Sequence, residues 1–198
     1  GSIEYMVNPS VATVIIYQKV SETRTLSVDL LNQDELDPKL VIEGINYDTD
    51  KIVIKGAEHQ LKQVAEVKAL VDVKNIVSQE VGTQKLKDVP LRAYDIDGNI
   101  VDVEIVPEKI DVDVTIASPS KELPIKIIPK GDVSFGLAIS SMNMNETKVT
   151  AYGNAEALAK LKYIPVEIDV SNLKENKEYK KELSKPVGVK SLSINNVT

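Results

Sequence analysis

Several short stretches of this chain alternate apolar and polar residues, and each predicts a half-buried β-strand. Lys51–Lys55 (KIVIK) turns Ile52 and Ile54 to one face and its lysines to the other. Lys148–Tyr152 (KVTAY), Val67–Val73 (VKALVDV) and Ile164–Val170 (IPVEIDV) read the same way, as do Gln84–Tyr94 and Ile100–Val106. Ile110–Ile116 (IDVDVTI) alternates apolar residues with mainly acidic ones, while Val11–Tyr17 (VATVIIY) and Thr25–Leu31 (TLSVDLL) are β-branched and aliphatic runs. The period changes twice. After Gly56, Ala57–Val64 (AEHQLKQV) puts Leu61 and Val64 on one side of a short helix. After Gly153, Asn154–Leu161 (NAEALAKL) begins with a good N-cap and runs through alanines.

This order of elements recurs because the chain repeats itself. Residues 26–76, moved forward by 97 positions, fall on 123–173 without a gap. Leu26, Leu40, Ile42, Asn46, Lys51, Gly56, Leu61, Asp72, Val73 and Asn75 meet Leu123, Leu137, Ile139, Asn143, Lys148, Gly153, Leu158, Asp169, Val170 and Asn172. Mismatches such as Val28/Ile125, Ile52/Val149 and Val71/Ile168 stay aliphatic. Such a period suits a whole small domain rather than a solenoid unit. The expected architecture is mainly β, two tandem modules with one short helix each.

The expected boundaries are 21–117 and 118–198, with Ala117-Ser118-Pro119-Ser120 as the link. Residues 1–20 read as the truncated end strand of a preceding repeat or as a linker, since VATVIIYQKVSETRTL parallels IDVDVTIASPSKEL with an insertion. That segment is expected to pair with the first module. The second module is shorter after its helix, and Val187–Thr198 stops where a last strand would run on.

Composition narrows the function. In 198 residues there is one Phe and no Trp, so the core must be built from Val, Ile and Leu. A net charge of −6 disfavours nucleic acid and anionic lipid as partners. Without cysteine there is no disulfide, thiolate nucleophile or Cys-bound zinc.

Candidate chemistry is sparse. The single histidine, His59, lies among Glu58 and Lys62 and reads as a solvated surface residue rather than a catalytic base. Asp95-Ile96-Asp97-Gly98-Asn99 resembles the opening of a calcium loop, but the later oxygen ligands are out of register, so a hairpin turn is expected. Gly56 and Gly153 precede helices as phosphate-cradling glycines do, yet no Lys or Arg in register follows; a tight strand-to-helix turn is the better reading. Asp102, Glu104, Asp111 and Asp113 predict a wet strand face that protects a sheet edge. Lys174, Lys177, Lys180 and Lys181 alternate with Glu175, Glu178 and Glu182, giving a mixed solvated face. No catalytic, cofactor or metal residues are assigned.

Together these residues resemble the YbbR repeat family, in which a strand ending in Gly leads to a short helix with a Leu and then a strand ending in V/I-D-V/L-S-x-L. The first copy reads Lys51-Ile52-Val53-Ile54-Lys55-Gly56, Leu61, then Val71-Asp72-Val73-Lys74-Asn75-Ile76. The second reads Lys148-Val149-Thr150-Ala151-Tyr152-Gly153, Leu158, then Ile168-Asp169-Val170-Ser171-Asn172-Leu173, with Lys185-Pro186-Val187-Gly188-Val189 downstream. The family's usual proline before the Gly is absent from both copies; Thr49 or Asp50, and Glu146 or Thr147, stand there. The resemblance implies a non-catalytic regulatory role outside the bacterial cytoplasmic membrane. It also implies a parent protein with one N-terminal membrane anchor, neighbouring YbbR repeats, and a membrane diadenylate cyclase as partner, whose cyclic di-AMP output is adjusted. The alternative is a cell-surface adhesion or wall-binding tandem β module, which fold alone does not separate.

Apolar residues in polar surroundings mark a candidate contact surface: Val133-Ser134-Phe135-Gly136-Leu137 and Met142-Asn143-Met144. One reading places Phe135 and Leu137 in the core with the methionines capping it. The other makes Phe135, Met142 and Met144 partner contacts.

Overall fold

A computed structural model describes residues 13–49 and 51–198. The expected strand over 3–20 lies outside the described residues as far as residue 12, and Thr13–Gln18 adopt no strand. Regular structure begins with β1 (Lys19–Leu31), followed by β2 (Val41–Asn46), β3 (Lys51–Ala57), α1 (Glu58–Leu61), β4 (Glu66–Asp72) and β5 (Gly82–Tyr94). Then come β6 (Glu104–Val106), β7 (Lys109–Ala117), β8 (Ser120–Lys130), β9 (Lys148–Gly153), α2 (Ala155–Lys160) and β10 (Ile164–Asp169). The last three strands are short: β11 (Lys181–Glu182), β12 (Val189–Leu192) and β13 (Asn196–Val197). Among the described residues the protein is mainly β, and the two α-helices follow Gly56 and Gly153 at the positions expected from the change of period.

Two compact units divide the chain: residues 1–29, 47–71 and 88–111 make the first, and 30–46, 72–87 and 112–198 the second. The division falls within β1, β4, β5 and β7 rather than at the link between the sequence repeats, where only Ser118 and Pro119 lie outside strands.

In the first unit, Lys19–Thr25 of β1 pairs antiparallel with β3, and β3 pairs antiparallel with β6, Ile54 opposite Ile105. β4 pairs antiparallel with β5, Val67 opposite Ala93. Alternation does what its period demands: Ile52, Ile54, Val67, Ala69 and Val71 are buried, with lysines on the other face.

In the second unit, β2 pairs antiparallel with β7, Asn46 opposite Asp113. A second sheet runs β10-β8-β9-β12, and β8 with β10 is its parallel pair. Leu123, Ile125, Val149, Ala151, Leu158, Ile164, Val166 and Val189 fill its core, an aliphatic interior as the missing aromatics require. β11 pairs with β13.

The aligned positions make the same contacts in both repeats. Asp72 accepts the Lys74 amide at 2.9 Å, and Asp169 accepts the Ser171 amide at 2.9 Å, closing the same turn after β4 and β10. Arg24 donates to the carbonyls of Leu61 and Val64 at 3.1 and 3.0 Å; Lys121, 97 positions on, donates to those of Leu158 and Leu161 at 3.2 and 2.7 Å. A cation therefore ties the end of each short helix to the strand beneath it.

Candidate functional site

The residues singled out for chemistry are occupied by structure. Asp95 Oδ1 accepts the amides of Asp97 and Asn99 at 2.9 and 2.8 Å, while Oδ2 accepts the Asn99 side chain at 3.2 Å. These bonds, the Asn99 amide first, hold its carboxyl below its ordinary pKa. Gly98 at φ 83° completes the turn, and Tyr94 bridges to Ile100. The segment is a hairpin turn. His59 is exposed on α1, beside the Glu58–Lys62 ion pair. Among the described residues no three His, Cys, Asp or Glu side chains gather as metal ligands.

The two aligned glycines serve different contacts. A Cβ on Gly56 would meet the flexible Gln60 side chain at 3.3 Å, and that side chain accepts the Ala57 amide at 3.2 Å. A Cβ on Gly153 would stand 2.2 Å from the Gly188 carbonyl oxygen and 3.0 Å from Val189 Cα, so only glycine admits that backbone crossing. Asn154 caps α2, accepting the Glu156 and Ala157 amides at 2.9 and 3.4 Å. Both glycines are thus packing devices at strand-to-helix turns.

The acidic strand face needs one correction. Asp111 and Asp113 do not protect a sheet edge, because β2 pairs with the Asp113–Ala117 half of β7 and Thr83 of β5 bonds Thr115 at 3.0 Å. Their charges are absorbed locally: Asp111 accepts the Asp88 amide at 3.2 Å, and Lys85 stands 3.9 Å from Asp113. Glu104, on β6, forms an ion pair with Lys19. Of the lysine-rich stretch, Lys177 lies 4.9 Å from the Tyr179 ring, and Lys174, Lys177 and Lys180 are exposed.

Phe135 is fully exposed, which overturns the reading that puts it in the core. It sits at a turn with Gly136 at φ 79°, within Gly131–Thr147, a stretch without strand or helix. Leu137, Ile139 and Met142 are also exposed, whereas Met144 packs against the aliphatic core of the second unit. Ile139, Met142 and Met144 line an open groove of about 960 Å³; Phe135 does not. The three candidate contact residues therefore occupy different settings: one free at a loop tip, one exposed on the groove, one half-buried in its floor.

Sequence reasoning missed a second small cleft, about 410 Å³, lined by Leu36, Val41 and Ile42 of the first repeat and by Asn154, Val189 and Lys190 of the second. Beside it Lys190 donates to the Leu40 carbonyl at 3.1 Å, Ser191 to the Pro38 carbonyl at 3.3 Å, and Lys39 lies 5.4 Å from the Tyr152 ring. No single residue there is distinctive, so no local motif could have signalled it.

Comparison with known proteins agrees with the repeats. The CdaA regulatory protein CdaR of Bacillus subtilis (strain 168) is 28% identical over 193 residues, covering 97% of this chain and 39% of that protein. This chain thus spans well under half the length of that relative. A crystal structure of a YbbR-like protein from Streptococcus pneumoniae TIGR4 is similar at 17% identity and a TM-score of 0.44, over 52% of this chain and 50% of that one. A solution structure from Streptococcus thermophilus matches at 16% identity and a TM-score of 0.36, over 54% and 92%. The sequence model for YbbR-like protein matches residues 26–116 and again 123–198, and the chain belongs to that family.

Proposed function

We propose that this chain is a non-catalytic regulatory module of a longer, membrane-anchored bacterial protein. It works on the extracytoplasmic face of the cell membrane and adjusts a membrane diadenylate cyclase, and so cyclic di-AMP, through protein–protein contacts. The observation that carries the reading is the alignment, over nearly the whole chain, with a protein named as a regulator of CdaA. The two repeats, 21–117 and 118–198, serve in this reading as a scaffold. The side chains with most to gain from a partner are Phe135 and Met142, exposed apolar groups on a loop that also exposes Leu137 and Ile139. Met144, half-buried, supports the loop from beneath.

The test is co-purification of the parent protein with the cyclase from membranes, with cyclic di-AMP measured alongside. The parent protein carrying Phe135→Ala should unfold at the wild-type temperature, because the ring contributes no core packing, and should retain less cyclase and alter its output. Unchanged retention together with unchanged cyclic di-AMP removes Phe135 from the contact. Absence of the cyclase from the wild-type preparation defeats the regulatory reading itself.

A further inference from the structure

The smaller cleft, about 410 Å³, divides into an aliphatic part and a polar part. Leu36 and Val189 are buried in its walls, and Leu30, Val41 and Ile42 are half-buried, so apolar surface there still meets water. The first repeat supplies Leu30, Leu36, Val41 and Ile42, and Val189 of β12 comes from the second. Both sides belong to the one compact unit of residues 30–46, 72–87 and 112–198.

The polar side chains of the lining are Gln33, Asn154 and Lys190, all exposed and all able to donate. Asn154 Oδ1 is committed to the Glu156 and Ala157 amides, which leaves its Nδ2 to donate elsewhere. Lys190 Nζ gives one bond to the Leu40 carbonyl at 3.1 Å and has two more to give. Two carbonyls beside the cleft already accept: Leu40 from Lys190, and Gly188 from the Asn154 amide at 3.1 Å. Among the described residues no aspartate or glutamate lines the cleft. The site therefore offers one positive charge and a surplus of donors above an aliphatic floor.

We propose that this cleft binds a small aliphatic monocarboxylate. Its volume lies within the range of small-molecule sites, about 300–1,000 Å³. The single ammonium matches a singly charged head, and the two amides can complete its hydrogen bonds. An alkyl body would cover Leu30, Val41 and Ile42 and remove their surface from water. A ligand amine would find no carboxylate to pair with, which disfavours amino acids and other zwitterions. The occupant touches Ile42 on one side and Val189 on the other, so its binding adds to the cohesion of the unit, and melting temperature should rise with its concentration.

The test is a titration of the 198-residue chain with hexanoate, followed by backbone amide resonances. Shifts should be confined to the cleft, Leu36, Val41 and Val189 among them, with a dissociation constant on the order of 1 mM. Hexan-1-ol should bind roughly tenfold more weakly, and hexylamine should leave the cleft amides unmoved. Lys190→Met keeps the alkyl stem and should reduce hexanoate to the affinity of hexan-1-ol. That variant also loses the bond to Leu40, so Gln33→Ala, at an exposed side chain, provides a second reading. It should weaken hexanoate roughly threefold and leave the melting temperature of the free protein unchanged. Hexanoate that moves no cleft amide overturns the proposal, as does equal binding of hexan-1-ol or affinity that survives both substitutions. Tighter binding of acetyl-valyl-leucine than of hexanoate overturns it too, since the cleft then takes the carboxyl end of a peptide.

Discussion

The first repeat sets Ile42 and Ile45 in a strand; the second sets Ile139 and Met142, at the same places in the repeat, in a loop. The aligned segments share Ile and Asn at two positions, and each directly follows a shared leucine, Leu40 or Leu137. What differs is the neighbour. β2 has β7 to exchange hydrogen bonds with, whereas Ala138–Asn143 faces an open groove. Strand propensity is chiefly a fit to adjacent strands, and a lone segment of this length has little reason to stay extended. The aligned turns and helix ends, whose partners lie within each repeat, are the same in both.

The sharpest way to press that comparison is at the aligned glycines. Gly153→Ala forces a Cβ into the Gly188 carbonyl and should destabilise by about 3 kcal/mol. Gly56→Ala is tight only against the end of the Gln60 side chain, with ordinary contacts to Val103 and Leu61, and should cost about 1 kcal/mol or less. Equal losses in urea unfolding would show that the two crossings are the same after all. Next come the cations under the helix ends. Arg24→Ala and Lys121→Ala each remove two charge-assisted bonds to buried-side carbonyls, and each should lower stability by about 1–3 kcal/mol. The arginine, with its fixed fork on both carbonyls, should lie at the upper end. A thermal shift for one and none for the other would break the equivalence of the repeats.

Asn154→Ala removes the cap of α2 and should cost about 1 kcal/mol. The first repeat has Ala57 there, so its α1 should respond instead to Gln60→Ala, by about half as much. Calorimetry on the two variants separates them. The smallest expected effect is on pH. The Asn32 side chain and the Lys74 amide hold the Asp72 carboxyl low, and the Ser171 side chain and amide do the same for Asp169. A carboxyl depressed in the folded state contributes stability that is present at neutral pH and lost as pH falls through its folded pKa. Melting temperature should therefore drop below about pH 4. Asp72→Asn and Asp169→Asn should each flatten that limb, and an unchanged acid limb in both would remove these turns from the account.

Much of the fold was legible because alternation and burial coincide in β3, β4, β7, β9 and β10, where each strand is half-covered. Gly56 and Gly153 marked the strand-to-helix turns because a change of period is a local signal. Phe135 is left between a core and a contact reading by its chemistry, and only the core reading fails. A lone aromatic in an aliphatic chain suggests core, but Ser134 and Gly136 around it favour a turn, and the turn won. The edge role given to Asp111 and Asp113 failed because edges are set by which strands assemble, not by charge. Arg24 and Lys121 carry no local signal in the sequence, since their carbonyl partners lie 37 and 40 residues away.

The join between the repeats has a further consequence. Lys190 and Ser191 reach across to the carbonyl oxygens of Leu40 and Pro38, and every residue type carries such an oxygen. The hydrogen-bonding part of the receiving side is thus written in backbone shape, and substitutions at Pro38 and Leu40 that keep the turn before β2 on its path leave both acceptors in place. What side-chain identity the join does demand is confined to Lys39 against the Tyr152 ring and to the aliphatic lining of the cleft, so a joint of this kind tolerates drift at its acceptors more readily than at its packed faces.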